Sequence, residues 1–400
     1  MGLPLAGIRV LDLSNVLAGP FCAYQLAMMG AEVIKVESPE GGDLARSLGA
    51  DPDAAAKLMG VSFLAVNAGK QSITLNLKHA RGKEILKKLV AESDVLVENF
   101  RPGVMKRLAL DYPVLKLVNP GLIYCAISGF GQGGPWSDRP AYDQIIQGLS
   151  GLMSVTGDAE SAPLRAGFPV CDTIGGMSAA FAIAAALAGK SRTGEGAFID
   201  VSMLEATLAS MGWVVSNYLA TGNPPQPMGN ENFTAAPSGT FKTGDGLLNI
   251  AANEQKQFEA LCDVIGKPTL KSDVRFAARE ARKQNRFALK EEVEAGLHGR
   301  SAATWEALLN AAGVPSGQVL TVPQILDQTQ VKGRNFIVAL DAVPGLGKTA
   351  HVSRSGFLVN GASLQPSAPP PRLGEHTAVW LRHLGYSEEQ IGSLNDSGAV

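Results

Sequence analysis

Hydrophobic positions in the first 130 residues fall into short continuous runs separated by helix-like stretches. Residues 7–14, Gly-Ile-Arg-Val-Leu-Asp-Leu-Ser, and 31–37, Ala-Glu-Val-Ile-Lys-Val-Glu, have the length and β-branched content of buried strands. Between them, residues 21–29 read as a helix closed by Gly30. A strand–helix–strand unit predicts parallel pairing through a right-handed crossover. The alternation continues with a strand at 72–77, an amphipathic helix at 82–91 and strands at 94–97 and 122–127. An Ala-rich helix should open at Asp172 and end near Gly189, followed by a strand at 197–202 and one long apolar helix at 203–218. The pattern predicts an α/β fold built on a parallel sheet.

The pattern changes past residue 220. Residues 221–239 are rich in Pro, Gly and Asn and read as a linker. A strand at 246–251, a helix at 254–265, a charged helical surface at 274–299 and short elements at 304–312 and 322–326 make a smaller, more polar middle domain. Residues 340–370 read as short strands with a Pro-rich crossing, and 374–395 as a helix and a further helical turn.

Composition narrows the function classes. Of the 400 residues only 18% are charged, which suggests a large buried interior or an extensive subunit interface. The net charge is -2 with no block of like charge, so nothing favours nucleic acid or an anionic membrane surface. No basic segment precedes an apolar one at the N-terminus, and the weakly polar run at 175–189 is too short and too rich in small residues to span a bilayer. Cys22, Cys125, Cys171 and Cys262 are widely spaced and read as reduced thiols of a cytoplasmic protein. The five histidines have no metal-ligand spacing, so no metal site is expected.

The candidate chemistry centres on Asp172. As an N-cap it would sit at a helix end that favours negative charge by ~0.3–1 kcal/mol, remain ionised and be able to act as a nucleophile. An Asp there can equally be a structural cap. Gly175 and Gly176, costly in a first helical turn, point to a close backbone or ligand approach. The first strand–helix turn, Asn15 to Pro20, lacks Gly-x-Gly-x-x-Gly, which disfavours a nicotinamide dinucleotide even though Glu37 lies where a ribose-binding acid would. The loop Glu98-Asn99-Phe100-Arg101-Pro102-Gly103 follows a strand at the end where ligands gather in open α/β sheets. The four glycines of residues 128–135 could cradle an anion or form a plain flexible loop.

Taken together, these segments resemble the family III CoA-transferases, the group of formyl-CoA transferase and carnitine CoA-transferase. The resemblance runs through Leu5 to Asp12, Leu17-Ala18-Gly19-Pro20-Phe21-Cys22, Gly30 to Glu37, Gly42-Asp43 and Val97 to Gly103. It continues through Tyr142-Asp143 with Gln147, Asp172 before Gly175-Gly176-Met177, Thr193-Gly194 and Gly374-Glu375-His376-Thr377. It implies that Asp172 is the nucleophile, forming first an aspartyl mixed anhydride and then an aspartyl-CoA thioester. Helix-start amides near Gly175 and Gly176 would be available to an oxyanion, and the two glycines would leave room for the thioester.

The resemblance also implies CoA contacts at Leu17, Ala18, Leu75, Lys78, Asn99, Phe100, Arg101 and Arg107, with Tyr142 beside the nucleophile. Lys78 and Arg107 suit the phosphates of CoA, although both could be plain surface charge. CoA enters as substrate, with no tightly bound cofactor, and a small carboxylic acid is the second reactant. Asn15, Leu17 and Ser38 replace a His, a Gln and an Arg of formyl-CoA transferase, and its glycine-rich gating loop is replaced by residues 228–234. A succinyl-type dicarboxylate is therefore expected in place of formate and oxalate, with Arg165 either orienting a carboxylate or structural.

The implied architecture is a large Rossmann-like domain from 1–222 and 331–400, a small α+β domain from 223–330, and an interlinked homodimer. A 2-methylacyl-CoA racemase of the same fold is disfavoured, because Pro140-Ala141-Tyr142-Asp143 lacks the His of a Gly-His-Asp base. A catalytically silent CoA-binding protein is the remaining alternative.

Overall fold

The computed structural model describes residues 2–400. The chain divides into two compact units: one holds the segment up to Leu152, Arg165–Asn223 and Thr329–Val400, the other Met153–Leu164 and Pro224–Gln328. In the first unit the chain runs β1 (Arg9–Asp12), α1 (Ala18–Met28), β2 (Glu32–Glu37), β3 (Lys70–Thr74), α2 (Ala80–Ala91) and β4 (Val95–Glu98). It continues with α3 (Val104–Leu108), α4 (Tyr112–Val118), β5 (Ile123–Ser128), α5 (Asp143–Leu149), α6 (Val170–Thr193) and β6 (Ala197–Ser202).

All six strands are parallel in one sheet of order β3-β2-β1-β4-β5-β6, with Leu11 level with Ile34 and Leu96. Five of them are covered on both faces, which is why β4 and β5 read as nearly continuous apolar runs. Val10, Val33, Val95 and Cys125 pack towards α1 and α6, while Leu11, Ile34, Leu96 and Tyr124 pack towards α2 and α4.

Two helix boundaries differ from those the sequence suggests. Gly189 lies inside α6, which runs on to a left-handed Gly194 with φ 74°. At 24 residues α6 is long and apolar enough to cross a membrane, so the shorter run read from the sequence underestimated it. One face of α6 packs against α1, β5 and β6, which accounts for part of that apolarity, while Met177 and Phe181 are exposed. The expected single helix at 203–218 is two, α7 (Met203–Ser210) and α8 (Gly212–Thr221), broken at Met211 just before the poor helix former Gly212.

Residues 222–237 contain no helix or strand, in keeping with their Pro and Gly content. The second unit then forms an antiparallel sheet β7-β8-β9 from β7 (Ser238–Lys242), β8 (Leu247–Ala251) and β9 (Ser316–Gln318). Helices α9 (Gln255–Val264), α10 (Arg286–Leu297) and α11 (Ala302–Ala311) close its core around Phe241, Ile250, Phe258, Val293 and Trp305. The chain ends in the first unit with α12 (Thr377–His383) and α13 (Glu388–Asp396), whose Trp380, Leu381 and Leu394 join the α2 face of the large sheet.

Candidate active site

The strand order reverses between β1 and β4, and the turn after β1 crosses that reversal. Such switch points are where open α/β sheets place ligands. The turn is clamped from several sides. Asn99, beyond β4, accepts from Asn15 N and donates to Asn15 O, both at 2.8 Å. Val16, left-handed at φ 66°, donates its N–H to Asp43 Oδ1 at 2.9 Å. Lys35 Nζ donates to Ser14 O at 2.8 Å. A Cβ on Gly19 would collide with the side chain of Ser14, so glycine is required there.

Beneath the turn lies a fully buried charge set. Lys35 pairs with Asp43 at 2.9 Å and Lys70 with Asp12 at 2.8 Å, and Lys70 also donates to Pro20 O. Burial opposes ionisation of Asp12, but the two lysines win and hold its carboxyl down at about 2. Glu37 is occupied as well: its oxygens take Arg46, Ser72 Oγ and Asp43 N. That closes the ribose-binding option at this position.

Asp172 occupies a different setting from the one expected. It is not the N-cap of α6 but its third residue, after Pro169, which has no side-chain acceptor to offer. The cap is supplied by Asp143, at the start of α5: Cys171 N donates to Asp143 Oδ1 at 2.8 Å and Asp172 N to the same oxygen at 3.3 Å. Val170 N and Thr173 N donate to Phe168 O and Pro169 O. All four amides at the helix mouth are therefore engaged, and none is left for the expected oxyanion contact.

Among the described residues no donor or cation pairs with the half-buried Asp172 carboxylate. Burial first, and the neighbouring Asp143 second, push its carboxyl up to about 7, well above the ordinary carboxylate range in which the helix end alone would keep it. The helix end supplies ~0.3–1 kcal/mol, less than one pKa unit at ~1.4 kcal/mol, and cannot offset burial of this extent.

Gly175 and Gly176 do not open space for a ligand. A Cβ on Gly176 would strike the carbonyl of Ala18, and one on Gly175 would lie 3.0 Å from the side chain of Met203. The glycines let α6 approach the first turn and α7 at backbone distance. Asp172 and Gly176, four residues apart, share a helix face, so the carboxylate lies on the side of α6 that meets Ala18.

The other expected residues all lie in the first unit. Ala18 is buried and Leu17 partly so. Leu75 has its side chain in the core and its N–H donated to Glu37 O, so only its carbonyl remains for a ligand. Phe100 packs on the core and donates its N–H to Glu98. Lys78, Arg101 and Arg107 are exposed and have no ion-pair partner among the described residues. Tyr142 is 68% exposed at the start of α5, next to Asp143. Arg165 is exposed and donates only to the adjacent Ala166 O.

The glycine-rich loop at 128–135 is tied down by Asp200, whose two oxygens accept Gln132 N at 3.0 and 2.9 Å. Sequence reasoning gave no role to Asp143 or Gln147. The signal was available: Pro169 precedes the helix without a capping side chain, and Asp143 and Gln147 stand four apart on a neighbouring helix.

Residues 5–377 match the family model described as CoA-transferase family III. The chain is 36% identical over 392 residues to succinate–glutarate CoA-transferase of Agrobacterium fabrum, covering 95% of this chain and 96% of that one. It is 41% identical over 386 residues to acetyl-CoA:oxalate CoA-transferase of Acetobacter aceti, covering 96% and 97%. A crystal structure of a CAIB/BAIF family protein from Brucella suis superposes with a TM-score of 0.83 at 36% identity, over 96% of this chain and 100% of that one.

Proposed function

The chain belongs to CoA-transferase family III and is an acyl-CoA:carboxylate CoA-transferase, and on that premise we propose that Asp172 is its nucleophile. An Asp172 oxygen attacks the thioester carbonyl, the C–S bond breaks, and CoA departs as thiolate from an aspartyl mixed anhydride. The thiolate then attacks the aspartyl carbonyl, freeing the donor acid and leaving an aspartyl-CoA thioester. The acceptor carboxylate attacks that thioester, and the thiolate returns to the new acyl carbonyl, regenerating Asp172. The observation that carries this reading is a carboxylate with no cation partner, raised to about 7 by burial, on the α6 face that meets the turn at Ala18. A carboxylate of that basicity is a stronger nucleophile than an ordinary one yet is substantially ionised at neutral pH.

The larger unit binds CoA, and the segment 223–330, joined by Met153–Leu164, forms the small domain. Lys78, Arg101 and Arg107 meet the phosphates, supported by their lack of ion-pair partners. The main chain at Leu17, Ala18 and Leu75 lies along the ligand, with Asn99 and Phe100 shaping the turn and Tyr142 flanking the acyl group. The donor is a succinyl-type dicarboxyl-CoA, supported by relatives named for succinate and glutarate. The chemistry as written needs no further cofactor.

The working form is an interlinked homodimer, supported by exposed apolar side chains on α6 and α8: Phe181 at 76%, Trp213 at 84% and Leu219 at 76%. Four free cysteines support a cytoplasmic setting. The racemase reading loses further ground, because both Asp143 oxygens are bonded and position 142 holds no histidine. Asp172→Ala should abolish transfer while CoA still binds, and hydroxylamine after acyl-CoA addition should modify the wild-type Asp172 peptide. Transfer at the wild-type rate by Asp172→Ala would refute the assignment.

A further inference from the structure

The cap on the helix of Asp172 is a second acid. Asp143 is itself buried, and three donors converge on its carboxylate: Cys171 N, Asp172 N and, at 2.6 Å, Gln147 Nε2. Gln147 is fully buried and held in turn, accepting Ala166 N at 2.8 Å and donating to Phe168 O at 3.3 Å. A serine or threonine can satisfy the same helix amides without charge. A carboxylate here also places a like charge beside a reacting group that already suffers from burial.

We propose that Asp143 is a positioning residue of the transfer reaction, fixing the peptide of Asp172 and destabilising its free carboxylate until acylation removes the charge. The proposal rests on Asp172 being the nucleophile. As the Asp172 oxygen bonds to the acyl carbon and the C–S bond breaks, the electron pair leaves on the CoA sulfur and the aspartyl group becomes a neutral anhydride. The aspartyl-CoA thioester is neutral too. Repulsion from Asp143 thus acts on the resting group and vanishes in both covalent intermediates, favouring their formation.

No other group does the same. The other ionisable side chains on the elements packed against α6 are Cys22 and Tyr24 of α1, Glu205 of α7, Tyr124 and Cys125 of β5, and Asp200 of β6. Burial raises both thiols and both phenols and keeps them neutral. Asp200 is engaged by Gln132 N, and among these side chains Asp143 alone adds to the effect of burial on Asp172. On α6 itself Cys171 is buried and raised, and Lys190 and Arg192 lie at its far end.

Asp143→Asn keeps an acceptor oxygen and removes the charge; Asp143→Ser, another neutral cap, serves should the first not fold. First-turnover CoA release, followed between about pH 5 and 9, should rise in the wild type as Asp172 ionises. In the neutral variants the rise should move to lower pH by about half a unit or more, with a plateau about tenfold or more lower. A rise left at the wild-type pH overturns the proposal. Mass analysis of the wild-type Asp172 peptide keeps the two ideas apart: acylation with an unmoved rise refutes only the role of Asp143, while no acylation refutes the nucleophile itself.

Discussion

Beneath the turn that follows β1, Asp12, Asp43, Lys35 and Lys70 are buried as a balanced set, each acid against a base. At the start of α6, Asp172 has a second acid beside it and no cation. The two regions draw on the same kind of residue and drive it in opposite directions. Pairing holds Asp12 at about 2 and locks a turn, whereas burial without pairing brings Asp172 to about 7. Charge that serves structure is neutralised by its neighbours; charge that is to react is left without a partner.

The contrast can be broken at either end. Lys70→Met takes from buried Asp12 its nearest cation, leaving Lys35 at 3.8 Å, and should lower unfolding stability by about 3–5 kcal/mol in urea titrations, with CoA affinity falling as the turn loosens. A loss below ~1 kcal/mol would mean that the balanced set does not hold the turn.

Asp172→Asn should do the reverse. Between the ordinary carboxylate range and about 7, native Asp172 binds a proton that the unfolded chain does not, so its contribution to stability declines as pH rises through that window. Above it, the ionised carboxylate is a net cost. The Asn variant should therefore be more stable than wild type near pH 8, by ~1–2 kcal/mol after allowing for partial exposure, with the advantage shrinking towards pH 5. Thermal melts at the two pH values read it directly.

The smallest change sharpens the picture at the periphery. Arg107→Ala should raise KM for acyl-CoA about tenfold and leave kcat near its original value, an effect that weakens with added salt. A fall in kcat at constant KM would remove Arg107 from the phosphate contacts.

The strands at 94–97 and 122–127 were the most legible because a strand covered on both faces shows up as a continuous apolar run, as Val95-Leu96-Val97 does. The ends of α6 were less so. Gly189 resembles a stop but is tolerated inside the helix, and Gly194 takes the left-handed position that closes it. The state of Asp172 was misread because local rules assign a helix-leading Asp to the cap, while the real cap lies 29 residues earlier in the chain. Gly175 and Gly176 signalled a close approach, but the partner is protein: the carbonyl of Ala18 and the side chain of Met203. Sequence period carries burial; it does not carry which distant carboxylate completes a helix.

The central claim is covalent passage of the acyl group and CoA through Asp172, and the oxygen atoms record it. Each turnover by this route moves one acceptor carboxylate oxygen into Asp172 and one Asp172 oxygen into the released acid. Turnover with an acceptor acid labelled with heavy oxygen, followed by digestion and mass analysis of the peptide carrying Asp172, should show the label in that side chain. Sustained transfer with an unlabelled Asp172 would contradict the account.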